Sequence, residues 1–357
     1  MKRLDILYIF IASLLAFWIV VNLFYRYFLA GKYSSIEIHG YVVLVIKRKT
    51  EGRASPSGEA RFLHNIVLTI LYFISLTLFF YMVGISILNR LYIGSTGVVV
   101  LVPGVNVVGM DALLFIIAAS ISASLHELFH ARLAIRNGIP VKSFGIMLAL
   151  IIPLAYVEVE EEEFRRTRIL KRLGVLSAGV AVNLILATVS LVLLTLATSP
   201  IGMLVTDVEP GSPAYRYGIH AYDVITSING SLVKSINDIP VVKMIAKPTS
   251  LNLTVWRRDT GYVNLVIPIG VNDERIGIYL SSSPRIELLE YLGGLPAFLL
   301  YKFLLWMYTI NLSLSILNAA PLFITDGGRI INELAGNKYG NIINIIGVII
   351  LLLILLP

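Results

Sequence analysis

The chain is 357 residues long, 57% hydrophobic and only 14% charged, with a net charge of +7 and no cysteine. Soluble domains carry about 25% charged residues, so an ordinary water-soluble globule is excluded, and without cysteine so are disulfides and thiolate-held metals. The positive balance calls for no nucleic-acid partner, because Lys and Arg beside apolar spans set topology and meet anionic headgroups.

Six apolar stretches are long enough for a hydrocarbon core of about 30 Å. The first is Ile6 to Tyr25. Lys2 and Arg3 precede it as they would in a secretory signal, but the run is long and no small-x-small site follows, so a retained anchor is expected. The segment to Arg61 carries Arg26, Lys32, Lys47, Arg48, Lys49, Arg53 and Arg61. A second span runs from Ile66 to Leu88. The connection from Leu91 to Gly109 has no Lys or Arg. Within it Tyr92 to Val102, broken by Gly94 and Gly97 and ended by Pro103-Gly104, reads as strand and turn.

The third span, Met110 to Ile135, contains Ser124-Leu125-His126-Glu127-Leu128-Phe129-His130 near its C-terminal end. A helix puts His126 and His130 on one face, where two imidazoles can hold one zinc ion. The Glu127 carboxylate, one residue along, can take a proton from the metal's water. Ionisable residues at membrane depth are costly and usually mark function. The pattern therefore points to zinc-dependent hydrolysis inside a membrane.

Residues Arg132 to Arg172 hold eight Lys and Arg. Positive charge on alternate connections puts the first and third in the cytoplasm and the histidines toward that side. Lys2 and Arg3 point the other way but are outnumbered. Val141 to Val157 is apolar between basic clusters, interrupted by Gly145 and Pro153, and reads as a re-entrant hairpin beside the site. The acidic run Glu160 to Glu163 reads as a solvated face.

A fourth span, Leu170 to Ala197, leads to residues 200 to 284, where charge rises and turn residues become frequent. Met203 to Val208, Val224 to Ile228, Leu251 to Trp256 and Tyr262 to Ile267 read as strands, with a hairpin turn at Asp259-Thr260-Gly261. This is enough chain for a small domain on the extracytoplasmic side. The fifth span is Leu295 to Leu317, and the last is Ile342 to Leu356.

Two histidines leave catalytic zinc short of a third protein ligand. Asp326, in Asn318-Ala319-Ala320-Pro321-Leu322-Phe323-Ile324-Thr325-Asp326-Gly327-Gly328, directly follows the fifth span. Pro321 ends that helix, and Gly327 and Gly328 permit unusual backbone. The same Asp326 could instead cap the next helix. Position alone leaves both roles open.

His-Glu-x-x-His in one span, and Asn318, Pro321, Asp326 and Gly327 after a later one, resemble the paired signature of the site-2 protease family of intramembrane zinc metalloproteases. Leu101-Val102-Pro103-Gly104-Val105-Asn106, Phe144-Gly145-Ile146 and Ser177-Ala178-Gly179-x-x-x-Asn183 are similar to its eukaryotic sterol-pathway branch. Residues 200 to 284 resemble a PDZ domain of the bacterial protease type: Val208-Glu209-Pro210-Gly211-Ser212-Pro213-Ala214, Gly218-Ile219, then Asp223-Val224-Ile225-x-x-Ile228-Asn229-Gly230. Tyr222 departs from that pattern, where Gly usually precedes the Asp.

The resemblance implies a polytopic α-helical membrane protein of about six transmembrane helices with an inserted extracytoplasmic PDZ-like α+β domain. Residues 1–90 would be N-terminal spans and a cytoplasmic loop, 91–199 the first half of the protease core, 200–284 the PDZ-like domain and 285–357 the second half. It implies zinc held by His126, His130 and Asp326, with Glu127 as general base. Asn183, Asn318, Pro321, Phe144 and Gly145 would meet the substrate. Asn183 and Asn318 could equally be interhelical hydrogen-bonding residues. His39, His64 and His220 match no motif and read as surface residues. Expected partners are the bilayer, in a cell membrane, and single-span substrates already trimmed by another protease.

Two rivals stand beside this reading. A membrane zinc protease of the prenyl-protein type would take its third ligand from Glu287, Glu290 or Glu333. A non-catalytic adaptor would recruit peptides through the PDZ-like domain alone.

Overall fold

A computed structural model describes residues 3–50, 60–238, 250–269 and 275–355. In chain order the first elements are α1 (Arg3–Phe24), prolonged by a π turn at Tyr25–Leu29, then β1 (Ile36–His39), β2 (Val43–Lys49), α2 (Ala60–Ile93) and α3 (Met110–Arg136). There follow β3 (Val141–Ala149), β4 (Ile152–Val159), α4 (Glu161–Arg166) and α5 (Ile169–Ala197). A β-rich stretch contains β5 (Thr198–Val208), α6 (Pro213–Arg216), β6 (Val224–Ile228), β7 (Ser231–Leu232), β8 (Ser250–Arg257), β9 (Gly261–Pro268) and β10 (Ile278–Pro284). The chain closes with α7 (Ile286–Leu292), α8 (Gly294–Ala319) and α9 (Asp326–Leu355). Six of these helices, α1, α2, α3, α5, α8 and α9, are long and apolar enough to cross a membrane.

Two compact units result, Met1–Ser190 with Trp306–Pro357, and Leu191–Leu305. The second is wider at both ends than the 200 to 284 read from composition. In the first unit Tyr72 of α2, Ala134 of α3, Ala178 and Val180 of α5, Ala319 of α8 and Ile330 of α9 form one fully buried cluster. Small residues at these points let the helices approach closely. Helix α3 is closed by Gly138, whose φ of 86° suits glycine.

The unit also contains a four-stranded antiparallel sheet in the order β1-β2-β3-β4. Strands β3 and β4 form a hairpin over the stretch read as re-entrant, turning at Leu150 and Ile151 with Ala149 opposite Ile152. Strands β1 and β2 were not expected, although Ile36-Glu37-Ile38-His39 alternates as a half-buried strand should. Gly145 pairs with Lys47 on one side and Tyr156 on the other. A Cβ there would run into the Ile46 carbonyl, which explains the glycine. At the charged end Lys47 meets Glu37 at 2.8 Å and Lys142 meets Glu158 at 2.7 Å. Glu161 to Glu163 are exposed on α4 and pair with Arg165 and Arg166, as a solvated face should.

The second unit is built on a sheet in the order β10-β5-β6-β8-β9, with β7 on β6. Met203, Val205, Ile225, Leu253, Val255 and Ile267 fill one core, and α7 places Leu289 against Leu204, Val224 and Trp256 in another. All four strands read from the sequence are present, while β7 and β10 are additional.

Two further expectations are corrected. Tyr92 to Val102 forms no strand: α2 continues to Ile93, and beyond it only Pro103 and Val107 form an isolated bridge. Val99 and Val100 lie exposed and pair with no described strand. The helix that carries the last span reaches back from Ile342 to Asp326, with a break inside it at Gly336. Residues 326–335 thus form a short separate helix before the terminal one.

Candidate active site and metal centre

The helical spacing of α3 brings the two histidine rings to 4.7 Å between centroids and their Nε2 atoms to 3.1 Å. Asp326 Oδ2 lies 3.0 Å from His126 Nε2 and 3.1 Å from His130 Nε2. Among the described residues these three are the one such group able to share a metal ion. Ligand atoms of a tetrahedral zinc, with bonds of about 2.0–2.1 Å, lie about 3.3–3.4 Å apart. The observed spacing is within a few tenths of an ångström of that. Space for an ion is kept by Gly179 of α5: a Cβ there would fall 2.5 Å from two atoms of the His126 ring, and closer still to His130 Nε2. The donor set and this cradle both fit zinc.

The rings are oriented from behind. His130 Nδ1 lies 2.7 Å from the Val175 carbonyl, so it carries the proton and leaves Nε2 a free lone pair. His126 Nδ1 lies 3.0 Å from the side-chain amide of Asn183. The amide's oxygen and nitrogen exchange places by a half-turn. Turned so, Asn183 Oδ1, which as placed is buried without a partner while Nδ2 faces the ring, would accept from Nδ1–H and free the second Nε2 as well.

Asp326 is not the cap of its helix. Thr325 takes that role: its Oγ1 accepts from Gly328 N at 3.2 Å. The Asp326 carboxylate is thereby left to turn toward the histidines. Gly327 and Gly328 have no room for a Cβ, which would strike the carbonyls of Ala319 and Leu322. Glu127 is half-buried, and among the described residues nothing bonds its carboxylate. The helix also touches the sheet, because Ser124 accepts the Ala155 N–H of β4 at 2.9 Å.

The expected substrate contacts lie as follows. Asn183 is fully buried on His126. Pro321 is buried, with its carbonyl packed on Gly347 of α9. Phe144 is 48% exposed, but β3 lies between β2 and β4, so no further strand can pair beside Phe144 or Gly145. Asn318 alone is half-exposed and unpartnered among the described residues. His39, His64 and His220 are exposed and apart from the cluster. The carboxylates of the prenyl-type rival are elsewhere: Glu333 is bonded to Arg172 at 2.7 Å, and Glu287 and Glu290 are exposed on α7.

Comparison with known proteins agrees with this geometry. The model of peptidase family M50 matches residues 114–354. The chain belongs to peptidase family M50, the site-2 protease family. Membership implies a membrane metalloprotease. An uncharacterized protein of Methanocaldococcus jannaschii is 31% identical over 245 residues, 67% of this chain and 62% of that protein. The match therefore spans less than two thirds of that relative's length. A PDZ domain protein of Parabacteroides distasonis is 24% identical over 22% of this chain and 16% of its own, with a TM-score of 0.17, which carries no fold assignment.

In this M50 chain, Gly179 and Thr325 were quoted within motifs but given no role from sequence, and the Val175 carbonyl was not singled out. The Ser-Ala-Gly-x-x-x-Asn stretch was a signal for the first. Nothing in the sequence marks a particular backbone carbonyl.

Proposed function

We propose that this chain is a zinc-dependent intramembrane endopeptidase that cleaves membrane-spanning segments of anchored proteins, as in regulated intramembrane proteolysis. The convergence of His126, His130 and Asp326 beside an unpartnered Glu127 carries this reading. Zinc bound in such a site supplies Lewis-acid polarisation of a carbonyl and lowers the pKa of water to about 7. His126, His130 and Asp326 would hold it, with Val175 and Asn183 fixing the rings. Glu127 takes the proton of the attacking water and returns it to the leaving amine nitrogen, which cannot depart as an anion. Asn318 offers its amide to the carbonyl of the scissile region.

A substrate helix must unwind, because its own hydrogen bonds shelter the peptide bond. The extended segment then adds to the outer edge of β4, which runs alongside α3 at Ser124. The β3–β4 hairpin would enter the bilayer there, covered by protein. The charge pattern favours a cell-membrane protein with its site toward the cytoplasm. The second unit, PDZ-like in its motifs, then faces outside. There it excludes substrates with bulky outer domains, so that earlier trimming by another protease is required.

The test pairs two variants of the full chain in detergent against a single-span substrate. Glu127→Gln should abolish cleavage and keep one zinc, because the base is not a ligand. Asp326→Ala should lose both. Equal zinc loss in Glu127→Gln, or full activity with stoichiometric zinc in Asp326→Ala, would sink this assignment.

A further inference from the structure

Tyr72 of α2 is fully buried, and its hydroxyl has no hydrogen-bond partner among the described residues. A buried hydroxyl without a partner is unfavourable, so its retention where Phe would pack equally well calls for a reason. Its surroundings supply one. Tyr72 packs in a cluster with Ala178, Ala319 and Ile330. Ala178 precedes Gly179, which lies against both histidines, and the Ala319 carbonyl lies under Gly327. Ile330 is one turn beyond Asp326. The Asp326 carboxylate lies near enough for its charge to act on the Tyr72 phenol. Its Oδ2 meets both histidines, whereas Oδ1 carries no hydrogen bond among the described residues.

One turn on from Tyr72, Ser75 and Ser315 share a hydrogen bond of 2.7 Å, and Ser315 donates to the Val180 carbonyl at 3.1 Å. Helix α2 is thereby held to α8 and α5 at this level. The helix lies wholly outside residues 114–354, the part matched by the family.

We infer that Tyr72 is a positioning residue of the metal centre: its hydroxyl donates, through one buried water, to the Asp326 oxygen that the histidines leave free. The carboxylate is thereby held to present a single oxygen to the ion. This rests on the metal centre proposed above. Hydrogen-bond partners of metal ligands typically change affinity by about 10–100-fold.

The experiment measures zinc affinity of full-length protein in detergent by competition with a chelator, together with thermal unfolding of the metal-free form. Tyr72→Phe keeps the ring and removes only the hydroxyl. It should weaken zinc about tenfold or more, without lowering the unfolding midpoint of metal-free protein. Ser75→Ala, on the same helix, should leave zinc affinity unchanged. Wild-type affinity in Tyr72→Phe would overturn the inference, as would an equal loss in Ser75→Ala, which would trace the effect to helix packing. A wild-type protein that takes up no zinc would instead sink the metal centre, and the role of Tyr72 with it.

Discussion

Gly179→Ala tests the site by filling its cradle. The added methyl would fall 2.5 Å from two atoms of the His126 ring and closer to His130 Nε2, where ordinary contacts begin near 3.4 Å. About 1 Å of overlap must be relieved. Helix α5 cannot back away, because Ala178, Val180 and Ala181 beside Gly179 are all fully buried. The rings must swing instead, and zinc–ligand distances tolerate only about 0.2 Å. Overpacking costs about 1–3 kcal/mol. Falling on the metal-loaded arrangement, that is about 5–150-fold in zinc affinity. Chelator competition on purified protein measures it. Gly84→Ala is the control, since a Cβ there meets nothing within 4 Å. Wild-type zinc affinity in Gly179→Ala would refute the cradle.

Three further outcomes follow from the same geometry. Val157 shares the parity of Ala155 on β4, so Val157→Pro removes an N–H from its outer edge. It should cut cleavage at least tenfold with zinc content unchanged, and undiminished cleavage would reject strand addition there. In this cysteine-free chain, Asn237→Cys, at an exposed position, should react with an impermeant thiol reagent from outside the cell. Ser55→Cys, outside the described residues, should react only after permeabilisation; the reverse pattern inverts the topology. Glu158 is held down to about 2 by its hydrogen bond to Lys142, then by Ser143 and the charges of Lys142 and Lys47, against burial that raises it. A carboxyl lowered on folding contributes stability above its unfolded pKa, near 4.5, and loses it as pH falls toward 2. Allowing for solvent screening at a partly exposed group, that is about 1 kcal/mol. The unfolding difference between wild type and Glu158→Gln should be steady above pH 5 and vanish toward pH 2; a difference that persists at pH 2 contradicts the pairing.

Much of the site was legible in the chain because its signals are local. The four-residue spacing of His126 and His130 dictates a shared helix face, and helix geometry alone puts Glu127 beside them. Long apolar runs specify helices by length, and short Val- and Ile-rich runs between turn residues specify β6, β8 and β9. The β3–β4 hairpin was legible for a related reason, since Pro153 breaks a helix and Gly145 weakens one.

Other features depend on which segments meet. Whether Asp326 caps its helix or faces the histidines was undecided by position, and Thr325 settles it by taking the cap. The unused strand signal at Ile36–His39 acquires meaning only through pairing with Val43–Ile46, while Val99 and Val100, equally strand-like, pair with no described strand. For Asn183 the sequence left substrate contact and interhelical hydrogen bonding both open, and packing sets it behind His126. Gly179 matters because of two rings that approach it from another helix. Sequence determines what each segment can form, since propensity and periodicity act over a few residues. Tertiary structure decides which side chains share a space, because that depends on contacts between residues as far apart as His130 and Asp326.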